Sequence, residues 1–129
     1  MTDAGGLVGN NGGSITNSYA TGNVKEIMVT SNDESAAGGF VGVVGTNSGD
    51  ASTISNCYAT GNVTGINGSY SGAGGFVGAT GIDTTATSSI SNCYATGTVT
   101  GGNAGGFVGV NGYGACNANT TTNINIILL

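Results

Sequence analysis

The sequence predicts an all-β protein, a right-handed parallel β-solenoid (β-helix) of about four coils with three short strands in each coil. Two repeated phrases and the composition carry this prediction. The first phrase is Ala-Gly-Gly-(Leu or Phe)-Val-Gly, which occupies residues 4–9, 37–42, 73–78 and 104–109. The second is Ile-(Ser or Thr)-Asn-(Ser or Cys)-Tyr-Ala-Thr-Gly-(Asn or Thr)-Val, which occupies residues 15–24, 54–63 and 90–99.

The composition favours strands over helices. The chain has 129 residues with 27 Gly and no Pro, and its many Thr, Val and Ile residues lose side-chain freedom in a helix. The apolar residues recur in register, which a disordered Gly- and Ser-rich linker does not maintain. The length fits a single domain, residues 1–129, with repeats at about 4–36, 37–72, 73–103 and 104–129.

The predicted strands of one coil lie in the two phrases. In the second repeat they are residues 39–42, residues 55–60 and the short pair Val63-Thr64. The phrases keep their length while the segments between them vary, as expected of paired strands joined by loops that accept insertions. Parallel pairing of equivalent strands then stacks the repeats into one body.

Two columns of small side chains are predicted to line the interior. We align the fourth repeat by placing Tyr113 under Ile90. Residues two apart share a face of a strand, and the inward columns are Ser18, Cys57, Cys93 and Cys116, then Ala20, Ala59, Ala95 and Ala118. The tyrosines between them are predicted to form an outward ladder of Tyr19, Tyr58 and Tyr94. A bend at Asn56 and its equivalents would reverse this assignment.

The paired phrases resemble the GLUG repeat. Such repeats occur in tandem in large secreted or surface-attached bacterial proteins, including adhesin-like chains and regions that flank some immunoglobulin-cleaving metallopeptidases. The resemblance covers the first three repeats and the first half of the fourth. It implies an extracellular or cell-surface, repetitive, β-rich element, and it brings no catalytic residues.

No residue combination indicates an enzyme. The chain has no His, which removes Ser-His-Asp and Cys-His sites, the usual zinc sites and the His-Glu-x-x-His of a metallopeptidase. Lys25 is the only basic residue and the net charge is −5, which disfavours nucleic acid as a partner. The longest apolar stretch, Ile126–Leu129, is shorter than the about 20 residues that span a bilayer.

The cysteines, acids and threonines each leave alternatives open. The cysteines form an unpaired interior ladder, one disulfide or a metal or redox site; direct parallel neighbours rarely suit a disulfide. No cofactor is expected, and calcium at Asp33, Glu34 or Asp50 competes with a reading of these acids as solvated loop residues. A threonine column either binds ice or crystal surfaces or simply favours strands; it comprises Thr21, Thr60 and Thr96.

Neither end of the predicted stack has a polar cap. Uncapped strand edges attract further strands, and the candidate self-association residues are Leu7, Val8, Ile124, Ile126, Ile127, Leu128 and Leu129. The C-terminal segment closes the last coil or donates a strand to another chain. Two functions follow, a non-catalytic structural or adhesive domain capped by adjacent repeats of a longer chain, and a subunit that stacks head-to-tail into an extracellular filament. The sequence does not indicate whether the adhesive form binds a host glycan or a protein.

Overall fold

The computed structural model describes residues 2–27, 35–45, 51–68, 71–80, 87–111 and 122–126, and these residues form strands and connections without a helix. The first coil contains β1 (Thr2–Gly5), β2 (Val8–Asn11), β3 (Ser14–Thr16), β4 (Tyr19–Ala20) and β5 (Val24–Lys25). The second coil contains β6 (Ser35–Gly38), β7 (Val41–Val44), β8 (Ala51–Ser55), β9 (Tyr58–Ala59) and β10 (Val63–Thr64). The third coil contains β11 (Ser71–Gly74), β12 (Val77–Thr80), β13 (Thr87–Ala95) and β14 (Val99–Thr100). The fourth contains β15 (Asn103–Gly105), β16 (Val108–Asn111) and β17 (Thr122–Ile126).

The strands of neighbouring coils pair in parallel with their equivalents. The first sheet has the order β1-β6-β11-β15, the second β2-β7-β12-β16 and the fourth β5-β10-β14. The third sheet joins β3, β8 and β17 to β13, which also pairs with β9 and through it with β4. Identical residues stand opposite each other, as with Ile15, Ile54 and Ile90. The predicted parallel β-solenoid is confirmed.

The second coil contains five short strands rather than the three predicted. One extra strand, β6, begins two residues before the first phrase and ends within it, and the predicted strand at residues 55–60 is divided by a bend at Asn56. Asn17, Asn56 and Asn92 have positive φ angles of 51°, 55° and 53°, a conformation that Asn tolerates better than most residues. The bend does not reverse the side chains that follow it, because Cys57 and Ala59 are buried.

The alignment of the fourth repeat is wrong. Strand β17 pairs with β13 so that Ile124 lies opposite Ile90 and Ile126 opposite Cys93. The segment from Thr122 to Asn125 repeats the polar-polar-Ile-polar order of residues 88–91, so Ile124 continues a column of isoleucines that Tyr113 cannot match in shape. Ile126 therefore takes the register position predicted for Cys116; Tyr113, Cys116 and Ala118 themselves lie outside the described residues.

The first and second sheets meet backbone to backbone at the glycines of the first phrase. In the second coil a Cβ on Gly38 would strike the carbonyl oxygen of Val41, and one on Gly39 would strike the carbonyl of Gly75 in the next coil. A Cβ on Gly42 would lie 2.5 Å from the Gly9 oxygen and 2.9 Å from the Ala4 nitrogen. Packed sheets normally lie about 10 Å apart, so this contact exists only because all three positions lack a side chain.

The hydrophobic side chains form three clusters beside this glycine contact. The main core stacks Phe40 on Phe76 and Phe76 on Phe107 with ring centroids 4.7 and 4.9 Å apart, beside the isoleucine column. A second cluster joins valines of the fourth sheet to alanines of the first, comprising Val24, Ala37, Val63 and Ala73. A third fills the space between the first and second sheets, comprising Ala36, Val43 and Ala79. Strands β6 and β7 are consequently buried on both faces.

We expect Gly78→Ala to lower the free energy of unfolding by about 3 kcal/mol, because the new Cβ meets backbone that cannot rotate away. That Cβ would lie 2.7 Å from both the Ala37 nitrogen and the Gly42 oxygen. Gly13→Ala is the matched control, since its Cβ meets nothing within 4 Å, and it should be neutral or slightly stabilising. Chemical denaturation measures both variants, and equal stabilities would contradict the close contact.

Candidate functional site

The described part of the chain holds no group of three or more His, Cys, Asp or Glu side chains that could bind a metal ion. The acids predicted as calcium ligands, Asp33, Glu34 and Asp50, lie outside the described residues.

The two described cysteines lie inside the coil as free thiols. Cys57 and Cys93 are each 1% exposed, and each thiol donates to a carbonyl oxygen 3.1 Å away, that of Ser55 or Ser91 respectively. Burial raises the pKa of the Cys93 thiol from 9.0 to about 11. Of the three alternatives for the cysteines, this arrangement is the unpaired interior ladder.

The other members of the inward columns differ in depth. Ala20 and Ala59 are buried in the main core, and Ala95 is half-buried against it. Ser18 is half-buried, and its hydroxyl donates to the Thr16 carbonyl at 2.8 Å. Its polar group is thus satisfied locally, which a serine next to a turn achieves more easily than one in a strand.

Tyrosine rings form a ladder on the outside of the third sheet. The rings of Tyr19 and Tyr58 stack with centroids 5.2 Å apart, and those of Tyr58 and Tyr94 with centroids 5.1 Å apart. The planes are within 9° of parallel, so each inner ring face is covered by the next ring. At the two ends of the described ladder, Tyr19 is 60% exposed and Tyr94 is 37% exposed.

Asparagine side chains form further ladders between neighbouring coils, and these ladders were not predicted from the sequence. The backbone nitrogen of Asn62 donates to the side-chain oxygen of Asn23 at 2.8 Å, and the backbone nitrogen of Thr98 donates to the side-chain oxygen of Asn62 at 2.9 Å. The Asn92 side chain donates to that of Asn56 at 3.3 Å. The signal that could have predicted them is the recurring Asn of the second phrase, two residues after Thr in one ladder and two residues after Ile in the other.

Comparison with known families agrees with this geometry. The GLUG motif matches residues 2–25, 33–64 and 69–100, together more than half of the chain. The chain belongs to the GLUG-motif family. No curated protein and no solved structure matches it. Among the described residues of this GLUG protein, no helix is long and apolar enough to cross a membrane.

The first GLUG coil leaves its columns open at one end. Leu7 continues the phenylalanine column, since its backbone nitrogen donates to Phe40 as that of Phe40 donates to Phe76, at 2.9 Å in both cases. Leu7 is 47% exposed, whereas Phe40 is fully buried. Val8, the other predicted self-association residue at this end, is half-buried against the main core.

At the other end, strand β17 places Ile124 and Ile126 in the ladder of their own chain. Both pair with β13 of the third GLUG coil, so β17 adds the fourth coil's strand to the third sheet. The remaining predicted residues of this segment, Ile127, Leu128 and Leu129, lie outside the described residues.

Two carboxylates at the first GLUG coil were not predicted as site residues. Glu26 follows β5 and is 6% exposed, and Asp3 in β1 is half-buried. Burial raises the pKa of the Glu26 carboxyl, with a further rise from the nearby Asp3 charge. Burial likewise raises the pKa of Asp3. Nothing in the sequence marks Glu26 as buried, because its equivalents in the next two coils are glycines.

We expect the interior thiols to be unreactive in the folded protein. The variant Cys116→Ser leaves Cys57 and Cys93 as the only thiols. Ellman's reagent should modify them at least about 100-fold more slowly in buffer than in denaturant, because burial keeps the thiols protonated and out of contact with the reagent. Because the pKa of Cys93 is raised in the folded protein, the unfolded chain loses the thiol proton at a lower pH than the folded chain does. The free energy of unfolding should therefore fall as pH rises from 9.0 to about 11. Rapid modification of both thiols in buffer would contradict the interior ladder.

Proposed function

We propose that this chain is a non-catalytic structural segment of a bacterial surface or secreted adhesin-like protein, in which adjoining coils continue the stack. The observation that carries the proposal is the open end of the first coil. Its Leu7 and Tyr19 occupy the same columns as the buried Phe40 and the covered Tyr58. A coil placed on this end would bury both side chains in the way that the second coil's equivalents are buried.

The strand edges at this end support the same reading. In the described ladder, β1 pairs with β6 and β5 pairs with β10, each on one side. The opposite side of each strand presents the hydrogen-bonding groups of a parallel edge, which a further coil satisfies. Because neighbouring coils contribute most of the stability of a solenoid, adjoining repeats would stabilise the first coil.

A filament of identical subunits is the second candidate. The fourth coil offers Phe107 at the end of the phenylalanine column, half-buried, and a Cβ on Gly106 would meet nothing within 4 Å. The two ends could thus meet head-to-tail, a contact that does not close into a ring. A sedimenting mass that grows with concentration, and that Leu7→Lys abolishes, would support the filament over the segment.

Adding a coil tests the proposal. A copy of residues 35–70 placed directly before Thr2 keeps the register of the ladder, since Ser35 and Thr2 are equivalent. We expect the melting temperature to rise by about 5 °C, because the added coil buries the open edge and shares one cooperative unit. The denaturant m-value should rise with it, as more surface is exposed on unfolding.

A flexible Gly/Ser extension of the same length is the control, and it should leave both quantities unchanged. If the added coil behaves like this control, the first coil does not accept a neighbour and the proposal fails.

A further inference from the structure

Three columns of polar side chains lie next to each other on the outside of the third sheet. In the second coil their members are Asn56 at the bend, Tyr58 in β9 and Thr60 directly after it, and the first and third coils repeat all three at equivalent positions. The asparagines and threonines of these coils are exposed, and the tyrosines are exposed or half-buried. We call these columns the Asn-Tyr-Thr face.

In the described part of the chain, the other sheets offer less exposed surface. The middle strands of the first and second sheets are buried on both faces, and each strand of the fourth sheet has only two residues. Lys25, the only basic residue, lies in that fourth sheet. The Asn-Tyr-Thr face itself contains no charged side chain, so an uncharged ligand fits it best.

Contacts between the coils hold the side chains of this face in place. The Tyr58 ring stacks between those of Tyr19 and Tyr94, with centroids 5.2 and 5.1 Å away. The side-chain amide of Asn92 donates to that of Asn56 at 3.3 Å. Ordering free side chains at an interface costs entropy on binding. A face whose side chains are already ordered avoids much of this cost.

The chemical groups of the face suit a polyhydroxylated ligand. Nucleic acids require several cations, and protein interfaces are anchored by aromatic or arginine side chains that fill pockets of the partner, whereas the rings here cover one another. Amides, threonine hydroxyls and phenol hydroxyls both donate and accept hydrogen bonds, as sugar hydroxyls do. Because the bond between Asn56 and Asn92 uses one donor and one acceptor, both amides keep capacity for a ligand.

The spacing of the columns favours one form of carbohydrate. Equivalent side chains recur once in each coil, at the 5.1–5.2 Å separation of the tyrosine rings. Successive sugars of an extended β-1,4-linked chain recur at nearly the same distance, whereas an α-1,4-linked chain coils and does not keep this spacing. We propose that the Asn-Tyr-Thr face binds an extended, uncharged β-1,4-linked polysaccharide along the axis of the stack, with one sugar at each coil.

Co-sedimentation of the intact protein with insoluble polysaccharides tests this face. Microcrystalline cellulose and chitin are uncharged and β-1,4-linked, and granular starch is the matched control because its chains are α-1,4-linked and coiled. We expect cellulose or chitin to retain the protein at least about tenfold more strongly than starch does, since weak contacts at successive coils add up along one chain.

A pair of matched variants locates the binding surface. Thr60→Glu should weaken retention at least about tenfold, because a bound chain would remove water from the new charge without pairing it. Thr64→Glu makes the same change at an exposed position of the fourth sheet, opposite Lys25, and it should be retained as the unaltered protein is.

Retention that Thr60→Glu loses and Thr64→Glu keeps supports the proposal. Retention on neither cellulose nor chitin, equal retention on starch, or unchanged retention of Thr60→Glu overturns it. Should Thr60→Glu not fold, Thr96→Glu changes the same column in the third coil and must show the same loss; unchanged retention there rejects the face.

This ligand assignment rests on the adhesin-like function proposed above, but the two can fail separately. The added copy of residues 35–70 carries its own Asn, Tyr and Thr of the face and should strengthen retention. A higher melting temperature without retention rejects the ligand and leaves the stacking of coils intact. Retention without a rise in melting temperature supports the ligand and rejects the stacking.

Discussion

Direct contact between the backbones of the first and second sheets is the constraint on which the rest of this solenoid depends. The second-sheet glycine of each coil lies against the first-sheet alanine of the coil before it, as Gly42 lies against Ala4 and Gly109 against Ala73. No side chain fits there. The phrase Ala-Gly-Gly-Phe-Val-Gly is therefore repeated with its length unchanged, whereas the connections on other sides of the coil vary.

Once the coils are held in this register, like residues fall on like residues. Phenylalanines stack inside, tyrosines stack outside, and asparagine side chains bond to the neighbouring coil. Aromatic pairs of this kind contribute about 0.5–1.5 kcal/mol each beyond their buried area. Such columns have no natural end, because the outermost member always presents an open face. Each coil therefore presents side chains that a neighbouring coil would cover, and the exposure of Leu7 and Tyr19 follows from this.

The repeats were sufficient to predict the parallel solenoid, and the alternation around Cys57 and Cys93 placed both thiols inside. Strand β6 was not predictable, because it is buried on both faces and so lacks the alternation that marks a half-buried strand. The register of β17 was predicted wrongly because Cys116 and Ala118 have the same spacing as Cys93 and Ala95. The alignment followed that spacing and not the match between Ile124 and Ile90. The burial of Glu26 could not be predicted, since only the fold shows that its column points inward.

Cross-sheet nuclear Overhauser effects test the backbone contact most directly. A Cβ on Gly78 would lie 2.7 Å from the Ala37 nitrogen, so one Gly78 α-proton points at the Ala37 amide across the two sheets. The account predicts a strong effect between that α-proton and the Ala37 amide proton, although the two residues belong to different coils. Absence of this effect, with effects along the strands retained, would show that the sheets are not in contact and would contradict the account.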